Sequence, residues 1–237
     1  MTQLYSNLAH VYHDMYQHIF DYDDEYNFYN SILKKHNCHK ILEIGCGSGM
    51  LARCFLKDGY DYLGLDLHNE MLSVAKEEIK SDCFVQGDMR KLSFNQEFDA
   101  ILITGCSISY IIHNLEIMNT LKGIYNALKN NGIFIFDSFE AHGIFNNMKD
   151  FNQDIQHGDK RIQRINKLEK NLETGWTWDW KAQYIIEYQD EVSEYNDLTT
   201  LRAFTKDEIK LFLKMANLKV IDVIDEQSAM TLITKRN

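Results

Sequence analysis

From Lys40 to Phe139, short apolar runs alternate with stretches whose apolar residues recur every three or four positions. KILEI, YLGLDL, CFVQGD, FDAILIT and NGIFIFDSF read as five strands, the last opened by an Asn-Gly turn signal. MLARCFLKD, NEMLSVAKEEIK and NLEIMNTLKGIYNALKN read as helices between them. Strands alternating with helices imply an α/β fold, a parallel sheet covered on both faces. Any site should lie beyond the carboxyl ends of the strands. Ahead of this region, Leu4, Leu8, Val11, Met15 and Ile19 fall on one helical stripe, with Tyr5, Tyr12 and Tyr16 on the next.

After Phe139 the period changes. Trp176, Trp178, Trp180, Ala182, Tyr184, Ile186 and Tyr188 occupy alternate positions, with mostly polar residues between them. That is one long strand with an aromatic face. The face suits either the buried side of a sheet or the lining of a pocket. Arg161–Glu169 and Tyr195–Arg202 are its expected antiparallel neighbours. Thr205 followed by Glu208 then forms a capping-box signature for the helix KDEIKLFLKMAN, and LKVIDVID and MTLITK read as the last two strands. The chain divides on this basis into a helical cap (1–36), an α/β core (37–140), an antiparallel β insertion (141–204) and a closing helix with two strands (205–237), all within one domain.

Composition narrows the choice of function. The 237 residues carry a net charge of -10, which disfavours a nucleic-acid partner and suits a neutral or cationic small ligand. The five cysteines show no C-x-x-C spacing, so no metal or redox motif is expected. With no signal-peptide pattern and no apolar run long enough for a bilayer, the expected location is cytoplasmic, without membrane association.

The chemistry centres on LEIGCGSG, where Gly45, Gly47 and Gly49 follow Glu43. A P-loop would need Lys and Ser or Thr after its last glycine, and none is present. A dinucleotide fingerprint would place its third glycine where Met50 stands. A carboxylate beside the glycines opposes a pyrophosphate but tolerates a cationic sulfonium. Asp66 ends the second strand and Asp88 follows the third, one βα unit apart.

This pattern resembles motif one of the class I, Rossmann-like methyltransferases dependent on S-adenosyl-L-methionine. HVYHDMY, VQGDMRKL, GCSISYI and LRAFTKDEIKLFLKMANLKV look like the N,N-dimethyltransferases of aminosugars and related small-molecule enzymes. The resemblance implies a seven-stranded, mostly parallel sheet with a β-rich insertion after strand five. It implies Glu43, Gly45, Cys46, Gly47 and Gly49 around the methionyl end, and Asp66 with Leu67 at the ribose. Asp88 and Met89 would face the adenine, Thr104 and Cys106 would lie near the sulfonium, and Tyr16 would cover the cofactor. Tyr110, Tyr12 and His113 are the candidates for contact with the acceptor and for proton removal. Because the chain has no proline, the [ND]-P-P-[YF] motif of base-amine methyltransferases is absent, and Cys106 lacks the proline that precedes a cytosine C5 nucleophile. The expected reaction is methyl transfer to nitrogen or oxygen of a small molecule, with S-adenosyl-L-homocysteine as product. An RNA or protein acceptor, and a non-catalytic cofactor sensor, stay open as alternatives. The aromatic strands are also compatible with a homodimer.

Overall fold

The computed structural model describes residues 3–236. Its core is a seven-stranded sheet. The strands are β1 (Lys40–Ile44), β2 (Asp61–Asp66), β3 (Phe84–Gln86), β4 (Phe98–Ile103), β5 (Leu128–Phe139), β10 (Leu218–Glu226) and β11 (Ala229–Arg236), in the order β10-β11-β5-β4-β1-β2-β3. Only β11 runs against the rest, pairing antiparallel with both β5 and β10. This is the class I methyltransferase fold. The order reverses between β1 and β4, which pair side by side, and a crevice opens there beyond the strand ends.

Both faces are covered, as unbroken apolar strands such as FDAILI require. α5 (Asn114–Ala127) and α7 (Lys206–Met215) bury Ile117, Leu121, Ile124, Ile209 and Leu213 on one face. α2 (Tyr22–Lys35) and α3 (Met50–Lys57) pack Tyr29, Leu33, Leu51 and Phe55 on the other, and α4 (Asn69–Ile79) adds Leu72 and Ala75. Thr205 caps α7 by accepting the Glu208 amide at 3.2 Å. The reciprocal half of the capping box is not made, because the Glu208 carboxylate pairs with the buried Arg202.

The second sheet is antiparallel, β6 (Phe151–His157), β7 (Lys160–Lys170), β8 (Trp176–Tyr188) and β9 (Glu191–Ala203), in chain order. β8 takes β7 and β9 as its neighbours, as its alternation predicts. Two elements of this region escaped the sequence pattern. α6 (Ala141–Asn147) opens it, and β6 forms its edge with alternately exposed residues and little apolar signal. The aromatic face of β8 divides in use. Trp178 packs on Phe139 and Phe145, whereas Trp180 faces a cavity.

Two further expectations are corrected. The N-terminal stripe is not one helix: α1 is Ala9–Ile19, and Leu4 and Leu8 are buried ahead of it in turns. The Asn-Gly pair does not open the fifth strand. β5 begins at Leu128 against Phe98, and the pairing skips to Ile133 against Ala100, so Asn131, with φ 65°, sits in a bulge.

Candidate active site

The glycine turn leaves β1 and crosses the end of β2, where the amides of Gly45 and Cys46 donate to the Leu65 carbonyl at 2.7 and 3.1 Å. Gly45 has φ +74°, and a Cβ there would stand 3.0 Å from the Ser107 hydroxyl oxygen. At Gly49 the structure shows a packing constraint. It precedes α3 with φ +76°, and a Cβ would meet Phe84 at 3.1 Å and Ala75 at 3.2 Å, away from the cavity. The cavity itself holds about 780 Å³, within the usual range for small-molecule sites. Of the other residues singled out in the sequence, Tyr12, Tyr16, Glu43, Gly45, Cys46, Gly47, Asp66, Leu67, Asp88, Met89, Thr104, Cys106 and Tyr110 all line it.

One end of the cavity is acidic. Glu43 is buried and accepts from the Tyr62 hydroxyl at 2.6 Å and the Thr104 hydroxyl at 3.1 Å. Burial outweighs these bonds and pushes its carboxyl up to about 7. Glu25, from α2, lines the same end and is also pushed to about 7, by burial and then by Asp137 nearby. Asp66 accepts the Gly47 amide at 2.9 Å and the His68 amide at 2.8 Å, and burial raises its carboxyl too. No lysine or arginine among the described residues forms an ion pair with any of the three. Asp88 differs. Arg90 donates to both of its oxygens at 2.8 to 3.1 Å, which holds it below the usual carboxylate range. Asp88 still lines the cavity, and a carboxylate paired with an arginine keeps capacity for a further donor.

The other end is aromatic. Tyr12 and Tyr16 of α1 stack with ring centroids 3.9 Å apart, and the hydroxyls of Tyr5 and Tyr110 meet at 2.5 Å. Tyr110 is 40% exposed and lines the cavity. Burial raises the Tyr5, Tyr12 and Tyr110 hydroxyls above the ordinary value for tyrosine, so all three stay protonated near neutral pH. In this state they can orient an acceptor through hydrogen bonds. His113 is exposed at the N-cap of α5 and is not among the residues lining the cavity. Burial likewise raises the Cys106 thiol, leaving a small lining residue rather than a nucleophile.

Sequence reasoning missed Tyr5 and Glu25 as lining residues and left Trp180 open between sheet packing and pocket lining, of which the structure shows the latter. For Tyr5 and Trp180 a signal existed in the tyrosine stripe and the aromatic strand. Glu25 carried none, because Asp23 and Asp24 beside it make the first turn of α2 look like an ordinary acidic helix start.

Residues 41–132 match the family model described as a methyltransferase domain, and that segment spans β1 to β5 with the glycine turn. That match covers under half of the chain, and the chain spans less than two thirds of the length of the curated relatives it matches. It is 30% identical over 163 residues to YqeM of Bacillus subtilis (strain 168), whose own name marks its methyltransferase activity as provisional. That alignment covers 65% of this chain and 65% of the relative. Among solved structures, an S-adenosylmethionine-dependent methyltransferase from Clostridium acetobutylicum ATCC 824 superposes with TM-score 0.81 at 20% identity, covering 97% of each chain. CalS10 of Micromonospora echinaspora, an amino pentose methyltransferase solved with S-adenosylmethionine bound, gives 0.79 at 14% identity, covering 96% of this chain and 97% of that one. The residues here fit that cofactor. A cationic ligand answers carboxyls that no lysine or arginine among the described residues pairs with, and the glycine turn leaves room for close backbone approach.

Proposed function

We propose that this protein transfers a methyl group from S-adenosyl-L-methionine to nitrogen or oxygen of a small-molecule acceptor. One observation carries the reading: a single cavity joins an uncompensated acidic end, at the glycine turn, to an aromatic end closed by α1 and the inserted sheet. When bound, the cofactor supplies an electrophilic methyl group on a positively charged sulfur, with S-adenosyl-L-homocysteine as the leaving product. Glu43, Asp66 and the Gly45–Gly47 turn would hold it, and Tyr12 and Tyr16 would cover it. Tyr5, Tyr110 and Trp180 orient the acceptor and exclude water; such positioning supplies about 7–11 kcal/mol of a displacement barrier. An amine acceptor must lose its proton before attack, because a protonated nitrogen has no lone pair to offer.

A small acceptor is favoured because the aromatic end is walled by α1 on one side and by β8 and β9 on the other. Calorimetric titration with S-adenosyl-L-homocysteine tests the cofactor half. Binding in the micromolar range is expected, and Asp66→Ala should weaken it at least about tenfold, the loss of one charged hydrogen-bond acceptor. Absence of binding by the intact protein would refute the reading.

A further inference from the structure

A side chamber of about 20 Å³ adjoins the aromatic end and shares Tyr5, Tyr110 and Trp180 with the main cavity. Arg164 and Tyr184, directly opposed across β7 and β8, form part of its wall. Arg164 is only 5% exposed and Tyr184 not at all. The guanidinium lies 4.6 Å from the Trp180 ring centroid and 5.4 Å from that of Tyr184, and one Nη donates to the Tyr16 hydroxyl at 3.4 Å. Its Nε and the Tyr184 hydroxyl are buried without any partner, and Arg164 makes no ion pair among the described residues. Asp197 also lines the chamber, but its Oδ1 accepts the Gln3 amide at 2.8 Å.

A buried guanidinium with no counter-ion is costly, and the two ring faces offset only part of that cost. Two buried donors left without acceptors add to it. A planar guanidinium fork with a neighbouring hydroxyl is the donor set that recognises an oxyanion. We infer that this chamber is an anion subsite for the acceptor, so that the molecule methylated carries a carboxylate or a phosphate seated on Arg164 and Tyr184. The inference rests on the methyltransferase reading, and it narrows the acceptor to acid-bearing compounds.

The test separates the two readings. Acetate and inorganic phosphate, with potassium chloride as the control, are titrated into the full-length protein saturated with S-adenosyl-L-homocysteine. Tryptophan fluorescence reports on Trp180 beside Arg164. One of the two anions should give a saturable change that chloride does not, and which one responds distinguishes a carboxylate from a phosphate head. Arg164→Met and Tyr184→Phe should each weaken that response, Arg164→Met by about tenfold or more, while Arg164→Lys keeps part of it. Asp197→Asn should leave it intact or strengthen it. No saturable response to either anion, or an undiminished response in folded Arg164→Met and Arg164→Lys, overturns the subsite. A loss of S-adenosyl-L-homocysteine affinity in Arg164→Met matching the loss of anion response also overturns it, since the anion would then be the cofactor's own carboxylate. If the wild-type protein fails to bind S-adenosyl-L-homocysteine, the methyltransferase reading falls instead, and the anion titration of the ligand-free protein still decides the chamber.

Discussion

Glu43 sets the pH behaviour of the site. Its carboxyl ordinarily titrates near 4.5 and stands at about 7 here, with Glu25 beside it raised to the same value. A folded-state pKa raised above the unfolded one means that the native chain binds more protons between those limits. The ligand-free protein should therefore lose stability as pH rises from about 4.5 to about 7. A cation seated at these carboxyls requires them ionised, so cofactor affinity should run the opposite way and weaken by about tenfold per carboxyl between pH 8 and pH 6. Calorimetry across that range would show it, and Glu43→Gln should flatten the Glu43 part of the slope. An unchanged slope in that variant would reassign the dependence to Glu25. The sequence placed Glu43 at the right end of the cavity because its position in the glycine motif is local information. The pKa shift was not legible, since it comes from burial in the folded core, which outweighs the opposing bonds from Tyr62 and from Thr104, the latter 61 residues away.

Among the elements, α1 makes contacts of two kinds. Met15, fully buried, packs with Ile162, Tyr184 and Ile186 of the inserted sheet, while Ala9 meets Met71 and Val74 of α4 in the core. Its stability depends on this docking more than on its own propensity, as for most short helices. Met15→Ala should remove about 2–5 kcal/mol of packing. The expected reading is faster amide hydrogen exchange across 9–19 and weaker binding of S-adenosyl-L-homocysteine, with β1 and β4 unaffected. Uniform acceleration through the central sheet would contradict the local role. The helix was visible in the sequence, but its start was not, because Leu4 and Leu8 keep the apolar spacing of a helix while the backbone around them forms turns. Periodicity records which side chains are buried, and burial alone does not dictate backbone conformation. The same limit hid β6, whose residues alternate between half-buried and exposed with little apolar contrast.

At the scale of the molecule, the central sheet was the most legible part, because strands such as ILEIG and FDAILI are buried on both sides and alternate with amphipathic helices. How the inserted sheet sits against that core was not legible. The chamber at Arg164 depends on β7 and β8 lying under the tyrosines of α1, a contact between segments more than 140 residues apart, as with Tyr16 and Arg164. Among the described residues no helix is long and apolar enough to cross a membrane. The segment that carries Tyr5, Tyr12 and Tyr16 walls the aromatic end of the cavity, which makes it the expected door for acceptor and product. On the proposed function, product leaving past this segment is expected to be the slow event of each cycle. Rapid mixing of the enzyme with saturating cofactor and acceptor should show a first turnover faster than the steady rate, a burst close to one product per active site. Loosening the door with Met15→Ala should shrink that burst by speeding departure.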